Sequence, residues 1–472
     1  MNAKAPEPNE DDISASEEWL YEVRKKIYSR SVTGWFNNWR VFMVVFTQML
    51  FYGLPWLQWD GRQAVLLDLS TRKFYFFGMV LWPQDVIFLA LLLIISAYGL
   101  FLFTAIAGRL FCGYACPQTV YTEIFMWIER KVEGDRLARI RLDGADWNAK
   151  KISKKTLKHA LWVAVALWTG FTFVGYFTPI LALAGQVMSL SLSPWQTFWI
   201  LFYGFATYGN AGFMREQVCK YMCPYARFQS VMIDKDTLIV TYDTERGEPR
   251  GKRGKHVDPR SEGKGDCVDC SICVQVCPTG IDIRDGLQYM CIGCGACVDA
   301  CDQVMDKVGY PRGLIRYSSE NAMANKWTKR QQWAHLFRPR ILIYSALLLV
   351  MVGLFVGGLA TRDPLKMNIM RDRGVLSREI PGGLVENIYQ IQLMNTTETA
   401  RKIRIEVKGI DGVAVHDRNV YEVPASTNIL EPLEVTIPVD NAKKGIYKID
   451  ITAVSEGAKP ISATSKTTFI VP

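Results

Sequence analysis

The sequence has no cysteine after Cys301, although 12 cysteines occur among its 472 residues. This excludes a disulfide scaffold from the C-terminal part of the chain. Histidine is also scarce: there are four, and His159 and His335 each lie beside a long apolar run. That placement disfavours a haem held by two histidines inside a helix bundle. The first 40 residues have no short apolar segment followed by a small-residue cleavage site, so we expect no removable signal peptide.

Charged residues are missing from five long apolar runs, at residues 41–57, 86–107, 160–182, 195–213 and 341–360. Each run is near the length that an α-helix needs to cross about 30 Å of hydrocarbon. The alternative is that some runs are core helices of a soluble protein, but a helix of that kind normally keeps a polar face. The sequence therefore predicts a five-span helical membrane protein.

The distribution of basic residues predicts the orientation of these spans. Residues 108–159 contain 11 Lys and Arg, whereas residues 60–84 contain three and residues 183–194 contain none. Short basic loops remain in the cytoplasm, so we expect a cytoplasmic N-terminus and a periplasmic C-terminal part. The net charge of +9 then fits membrane topology and anionic lipid headgroups. No recognition helix or aromatic RNA-binding signature indicates a nucleic-acid partner.

Eight of the cysteines form the most specific motif. Residues 267–278 read CVDCSICVQVCP and residues 291–301 read CIGCGACVDAC, and each run has the spacing Cys-x2-Cys-x2-Cys-x3-Cys. Bacterial ferredoxins with two 4Fe-4S clusters have this spacing, and the fourth cysteine of each run binds the other cluster. Two zinc sites are the alternative, because four thiolates also suit zinc. The predicted ligands are Cys267, Cys270, Cys273 and Cys301 for one cluster, and Cys291, Cys294, Cys297 and Cys277 for the second.

The other four cysteines form a repeated motif. Residues 112–117 read CGYACP and residues 219–224 read CKYMCP, and each copy follows an apolar run. Repeated membrane units commonly pack about a pseudo-two-fold axis with a site between them. Four converging thiolates would bind a soft ion such as Cu(I) or a third iron–sulfur cluster. The alternative is four unreactive buried thiols. The candidate redox residues are Cys112, Cys116, Cys219 and Cys223.

Pro117 and Pro224 follow the second cysteine of each copy and suit the first turn of a helix. The dipole at that helix N-terminus is expected to lower the pKa of the neighbouring thiols. Within residues 119–137, apolar Trp127 and Ile128 alternate with Glu129 and the basic residues after it. This pattern predicts an amphipathic helix at the membrane surface.

The C-terminal residues change in character. Segments such as NIYQIQLMN and RKIRIEVKG alternate apolar and polar residues, with turn signals between them. Several short strands at this spacing predict an immunoglobulin-like β-sandwich. The predicted layout is a cytoplasmic segment at 1–40, a four-span domain at 41–214, a cytoplasmic linker and ferredoxin domain at 215–340, a fifth span at 341–360 and a periplasmic sandwich at 361–472.

In this whole layout the chain resembles the cytochrome c oxidase accessory proteins called CcoG, FixG or RdxA. The resemblance rests on the apolar runs, the two CxxxCP copies, the eight-cysteine insert and the β-rich C-terminal part. It implies a protein of the bacterial inner membrane that reduces Cu(II) to Cu(I) for assembly of cbb3-type oxidase, with assembly factors or a copper chaperone as partners. Membrane ferredoxins that carry electrons from quinol share the CxxxCP pair and supply the alternative function. The electron donor stays open, and Gly353 and Gly357 would permit close helix packing in a homodimer.

Overall fold

The computed structural model describes residues 26–252, 263–371, 377–381, 383–397, 399–441, 443–456 and 460–472. Most of the predicted N-terminal segment, residues 1–25, and residues 253–262 of the predicted linker therefore lie outside the described residues. The chain divides into two compact units. One contains residues up to 48, 100–169 and 201–342, and the other contains residues 49–99, 170–200 and 343–472. All 12 cysteines belong to the first unit.

The first unit and the membrane-helix candidates are mainly helical. In chain order the α-helices are α1 Trp35–Gly53, α2 Val86–Ala107, α3 Leu110–Tyr114, α4 Pro117–Glu133, α5 Arg136–Gly144, α6 Ala149–Gly175, α7 Ile180–Met188, α8 Pro194–Thr207, α9 Pro224–Met232, α10 Thr244–Gly247, α11 Ile272–Val276, α12 Ala296–Val308, α13 Glu320–Ala324, α14 Lys329–Ala334 and α15 Pro339–Ala360. Two π-helical segments, Tyr208–Met214 and Val218–Met222, lie between α8 and α9.

Within the part of the chain that the structure describes, three helical segments are long and apolar enough to cross a membrane, namely Pro83–Ala107, Ala149–Gly175 and Pro339–Ala360. They contain two of the predicted runs completely and most of the run at 160–182. That run is interrupted because α6 ends at Gly175 and α7 begins only after Pro179, which has no N–H to donate to a continuous helix.

The remaining two predicted spans are not confirmed. The run at 41–57 lies mostly on α1, which begins at Trp35 and includes the buried Arg40. The run at 195–213 is divided between α8, which has 14 residues, and the π-helical segment that follows. A charged side chain and a break in the helix make these two segments less regular than the sequence indicates. Five crossings and their orientation stay a prediction.

The location of α4 at a membrane surface stays a prediction, but the burial of its residues differs from the amphipathic pattern. Phe125 is fully buried, and the exposed fraction of Glu129 is only 1%. Trp127, which the pattern assigned to the apolar face, is 54% exposed. Glu129 is buried because three basic residues from other elements form ion pairs with it, and a single-helix pattern contains no information about them.

The strands form several antiparallel sheets. They are β1 Gln58–Trp59, β2 Arg62–Gln63, β3 Val65–Asp68, β4 Lys73–Phe76, β5 Met79–Leu81, β6 Ile239–Tyr242, β7 Ile315–Ser318, β8 Leu365–Arg371, β9 Arg378–Ile380, β10 Leu384–Asn395, β11 Arg401–Lys408, β12 Ala414–Val415, β13 Val420–Val423, β14 Asn428–Pro438, β15 Gly445–Ser455 and β16 Ser462–Val471. The three-stranded sheet β3-β4-β5 lies in the connection at 60–84, where the sequence predicted no element.

The C-terminal strands form two sheets, as the alternating pattern predicts. One has the order β12-β14-β10-β8 with β9 also paired to β10, and the other has the order β13-β11-β15-β16. Alternate residues of β10, namely Tyr389, Ile391 and Leu393, are buried, and so are Ile449 and Ile451 of β15. Because strand side chains alternate between faces, this period of two puts one apolar face of each sheet into a shared core.

The eight-cysteine region folds around a small core in the first unit. Strands β6 and β7 pair antiparallel, and helices α11 and α12 contact each other. Val240 and Leu314 are buried together with Val298 and Met305 of α12. This core fixes the positions of the loops that carry the cysteines.

Candidate metal centres

Two small cavities in the first unit are lined by cysteines. One is lined by Cys267, Cys270, Cys273 and Cys301, which are the four residues that the spacing assigned to one cluster. The other is lined by Cys277, Cys291, Cys294 and Cys297, with Cys273 also at its wall. Helix α12 contributes Cys297 to one cavity and Cys301 to the other, so a single helix joins the two ligand sets.

The backbone of both cysteine loops takes the same conformation. Asp269 and Ser271, which flank Cys270, have φ of 51° and 54°. Gly293 and Gly295, which flank Cys294, have φ of 63° and 72°. Left-handed residues on both sides of the central cysteine turn the chain tightly around each cavity. Four thiols around each of two adjoining cavities fit two 4Fe-4S clusters.

Burial dominates the electrostatics of these thiols. It raises the pKa of Cys273 to about 11 and those of Cys291 and Cys301 to about 12, and nearby thiols add to the shift. Burial also raises the pKa of Cys294 and Cys297. Loading of the sites therefore has to replace thiol protons by metal.

The first CxxxCP copy packs directly on the second cysteine loop. A Cβ on Gly113 would lie 2.8 Å from the Ile292 carbonyl oxygen and 2.9 Å from Cys294 Cα, so only glycine permits this contact. The Tyr114 hydroxyl donates a hydrogen bond to the Cys294 carbonyl oxygen at 3.1 Å. Cys112 packs against the apolar cluster that contains Ile292 and Cys294. The first CxxxCP copy is therefore in contact with the ferredoxin region. The sequence alone did not predict this contact.

The two CxxxCP copies make reciprocal contacts, as the internal repeat predicts. Gln118, two residues after Cys116, donates from Nε2 to the Asn210 carbonyl oxygen at 2.9 Å, just before the second copy. Tyr225, two residues after Cys223, donates to the Leu100 carbonyl oxygen at 3.1 Å, before the first copy. Each copy thus binds the backbone of the segment that leads into the other.

Three of the CxxxCP thiols, Cys112, Cys116 and Cys219, each have a pKa that is raised in part by a thiol of the other copy. Burial raises the pKa of Cys112 to about 12, with Cys116 and Cys219 adding to it. Burial also raises the pKa of Cys219 to about 11, and Cys116 and Cys223 add to that shift. Among the described residues, no three His, Cys, Asp or Glu side chains are arranged to hold a single metal ion. Copper or a third cluster at these thiols stays a prediction.

The expectation that the helix N-terminus lowers the pKa of the neighbouring thiol is wrong for Cys116. Pro117 and Pro224 do begin α4 and α9. Backbone N–H groups of Gln118 and Thr119 lower the pKa of Cys116, but burial raises it by more, and the net shift is upward. Desolvation of a thiolate outweighs two hydrogen bonds at this position.

Comparison with known proteins agrees with this arrangement. Residues 89–133 match a 4Fe-4S binding domain, residues 214–320 match a 4Fe-4S dicluster domain, and residues 355–472 match the Ig-like fold at the C-terminus of FixG. The nitrogen fixation protein FixG of Rhizobium meliloti is 38% identical over 462 residues, which cover 90% of this chain and 88% of FixG. RdxB of Cereibacter sphaeroides is 42% identical, over 87% of this chain and 89% of RdxB. RdxA of the same organism is 40% identical, over 87% of this chain and 88% of RdxA.

The chain belongs to the FixG/RdxA family. The resemblance inferred from the motifs is thereby confirmed, as are iron–sulfur binding domains and an Ig-like C-terminal domain. The first CxxxCP copy lies inside the matched 4Fe-4S binding domain, and the second lies inside the matched dicluster domain.

Arg109 links three parts of this FixG/RdxA-family site. Its guanidinium donates to the Ala226 carbonyl oxygen at 2.7 Å and to the Tyr289 carbonyl oxygen, and it lies 4.7 Å from the centre of the Tyr289 ring. Ala226 follows the second CxxxCP copy, and Tyr289 precedes the second cysteine loop. The charge of Arg109 also opposes the burial that raises the pKa of Cys112, Cys219 and Cys291.

A buried ion-pair network also joins the two copies. Glu129 of α4 pairs with Arg215 at 2.8 Å and with Arg139 at 3.1 Å. Arg215 lies four residues before Cys219, so this pair connects the helix after the first copy to the entry of the second. Lys158 and Lys155 pair with the neighbouring Glu133.

Two larger cavities open beside the thiols. One, of about 380 Å³, is lined by Cys291 and Arg109 together with Tyr289 and Tyr317. The other, of about 400 Å³, has aromatic and charged walls and reaches Pro278, which follows Cys277. Its lining includes Met126, Glu129, Lys158, His159, Trp162, Phe213 and Arg215.

Sequence reasoning missed three residues of the site, namely Gly113, Arg109 and Gln229. Gly113 and Arg109 lie in or beside the CGYACP motif, and their chemistry could have identified them as a close-contact residue and a charge near the thiols. Gln229 occupies the position in α9 that Thr122 occupies in α4, so the internal repeat contains no signal for it.

Proposed function

We propose that this chain is a membrane-bound iron–sulfur electron-transfer protein that reduces Cu(II) to Cu(I) for assembly of cbb3-type cytochrome c oxidase. The observation that carries the proposal is the contact between the first CxxxCP copy and the Cys294 loop, because it joins four soft sulfur ligands to a ferredoxin-type ligand set. When bound, 4Fe-4S clusters supply single electrons at low potential. Each Cu(II) consumes one electron, which a reductant on the cluster side has to provide.

The residues of this chain have separate tasks in the proposed reaction. Cys112, Cys116, Cys219 and Cys223 offer thiolates, which bind Cu(I) more readily than harder ligands do. The four thiols are partly buried, and Gly113 keeps the first copy against the ferredoxin loop. The second unit carries the Ig-like domain, for which we propose docking to another membrane complex.

The test uses purified protein in detergent, loaded with iron and sulfide and reduced anaerobically with dithionite. After excess dithionite is removed, Cu(II) is added and Cu(I) is trapped by a chromogenic chelator. Serine at any of the four CxxxCP cysteines should reduce the amount of Cu(I) formed, while iron content is retained. Unchanged copper reduction in all four variants would end the proposal.

One observation favours the alternative, a quinol-linked electron carrier that serves a respiratory reductase. The cavity of about 400 Å³ contains His159, whose Nδ1 lies 3.0 Å from the Tyr208 hydroxyl, beside the rings of Trp162 and Phe213. A hydroquinone needs an aromatic cavity with a proton acceptor, and a neutral imidazole can be one. Reduction of the iron–sulfur centres by a soluble quinol, blocked by a quinone analogue, would support this alternative.

A further inference from the structure

Gln229 is a fully buried amide that faces the CxxxCP thiols. Its exposed fraction is 0%, and its Oε1 accepts a hydrogen bond from Cys112 Sγ at 3.3 Å. Its Nε2 is buried and has no hydrogen-bond partner among the described residues. A buried amide N–H without a partner lowers the free energy of unfolding by about 1–3 kcal/mol. Such a group in a native fold therefore calls for an explanation.

Two polar groups lie beside this amide. The Tyr225 hydroxyl lies 2.5 Å from Thr104 Oγ1 and donates its one proton to the Leu100 carbonyl oxygen, so its own oxygen can still accept a hydrogen bond from the amide. The Arg109 guanidinium is also close to Cys112, and it can only donate hydrogen bonds. The acceptors beside Gln229 are therefore the Tyr225 oxygen and the sulfur of Cys112, which lies 3.3 Å from Gln229 Oε1.

Binding of a metal changes what Cys112 can accept and donate. A free thiol has a proton, which it donates to Gln229 Oε1. A metal-bound cysteine has lost that proton, so its sulfur can only accept. Nε2 is then the atom of the amide that can hydrogen-bond this sulfur. Rotation of the terminal amide by 180° exchanges its oxygen and nitrogen without a change in shape.

We propose that Gln229 is a positioning residue whose Nε2 donates a hydrogen bond to the metal-bound sulfur of Cys112. This inference rests on the proposed function, since it assumes that copper binds at the CxxxCP thiols. A hydrogen bond to a ligating sulfur orients the ligand and withdraws part of its negative charge. Gln229 thereby favours a thiolate at a buried position where desolvation alone disfavours one.

Two substitutions separate donation by Gln229 from its other roles. Gln229→Met keeps the approximate shape and removes both polar atoms. Gln229→Glu keeps an oxygen that can accept the thiol proton, and while its carboxylate is ionised it has no proton to donate, so binding is compared over a pH series that extends to about pH 9. Loss of an outer-shell partner typically weakens metal binding by about 10- to 100-fold, so both variants should bind Cu(I) at least about 10-fold more weakly.

The measurement is competition for Cu(I) alone between the full-length protein in detergent and a chromogenic chelator, under anaerobic conditions. Thiolate-to-copper absorption in the near ultraviolet follows binding in the same samples. Thr122→Val is the matched control, because Thr122 occupies the same place in the repeat and bonds the Gln118 carbonyl oxygen. This control should bind Cu(I) within about twofold of the unmodified chain.

Each outcome has a separate meaning. If the unmodified chain fails to bind Cu(I), the proposed function fails first. If it binds and both Gln229 variants remain within about twofold, the inference is wrong. Wild-type affinity in Gln229→Glu that persists to the alkaline end of the pH series, where the carboxylate is ionised, would also overturn it, because acceptance would then suffice. Iron content reports folding of each variant, and if Gln229→Met lacks iron, Gln229→Glu decides the result.

Discussion

Gly113 approaches Cys294 so closely that a Cβ on Gly113 would lie 2.9 Å from Cys294 Cα. The two residues are far apart in sequence, and the contact brings the backbone of one CxxxCP copy onto a ferredoxin-type loop. Real side chains do not tolerate such a distance from backbone atoms, so any larger residue has to move one segment. Because Gly113 has no methyl group, the first CxxxCP copy can lie directly on the Cys294 loop.

Gly113→Ala should separate the first CxxxCP copy from the Cys294 loop. Insertion of an atom into a packed contact of this kind typically costs about 1–3 kcal/mol. We expect a lower free energy of unfolding and slower Cu(I) formation, with iron content largely retained. Gly99→Ala is the control, since no atom lies within 4 Å of a Cβ at Gly99. Equal rates for both variants would contradict the importance of the contact.

Substitution of the fourth cysteine of either run, Cys277 or Cys301, should remove one cluster at a time. Cys301 lies on the same helix as Cys297 but lines the cavity with Cys267, Cys270 and Cys273. Cys301→Ala should therefore lose the cluster of that set and about half of the iron. Cys277→Ala should lose the other half. Iron analysis with electron paramagnetic resonance distinguishes the two, and an identical spectrum for both variants would show that the ligand sets are wrong.

The cysteine sets could be predicted because their information is local. The Cys-x2-Cys-x2-Cys-x3-Cys spacing determines which thiols a tight loop and the following helix can bring together. The Ig-like domain could be predicted for a similar reason, since a period of two defines which face of each strand is buried. In both cases neighbouring residues contain the whole signal.

The contacts between segments could not be predicted, because their information is distributed along the chain. Glu129 has the pattern of a solvent-facing residue until Arg215 and Arg139 are placed beside it. Gln229 is an ordinary helix residue until α9 packs against Cys112. The pKa of Cys116 depends mainly on burial, which the helix-start pattern of Pro117 does not report.

Arg109→Lys tests the link between the two CxxxCP copies and the second cysteine loop. Lysine retains the charge, but it lacks the planar guanidinium whose N–H groups bond the Ala226 and Tyr289 carbonyl oxygens together. We expect a loss of about 1–2 kcal/mol in the free energy of unfolding, and a larger loss for Arg109→Gln, which also removes the charge. Chemical denaturation followed by tryptophan fluorescence measures both. The control is Arg227→Lys, an exposed residue on the same helix as Ala226; a loss as large there would mean that the carbonyl contacts are unimportant.

Glu129→Gln tests the buried network, and the effect should depend on pH. Burial raises the pKa of Glu129, but Arg215, Lys158 and Arg139 lower it by more, so the folded-state pKa is below the ordinary value. A group of this kind contributes stability that is fully present above its unfolded pKa of about 4.3 and is lost as the pH falls through the folded pKa. At pH 7 the variant should lose about 3–5 kcal/mol, because buried cations are left without their partner.

The difference between the Glu129→Gln variant and the unmodified chain should narrow as the pH falls below about 4, where the Glu129 carboxylate of the unfolded chain begins to take up a proton while that of the folded chain does not. Denaturation at a series of pH values measures this difference. Glu456→Gln is the control, since its ion pair with Arg404 is exposed and should contribute little at any pH. A loss for Glu129→Gln that is equally large at pH 7 and at pH 3 would assign the effect to side-chain shape, and the charge network would then not be what joins the two CxxxCP copies.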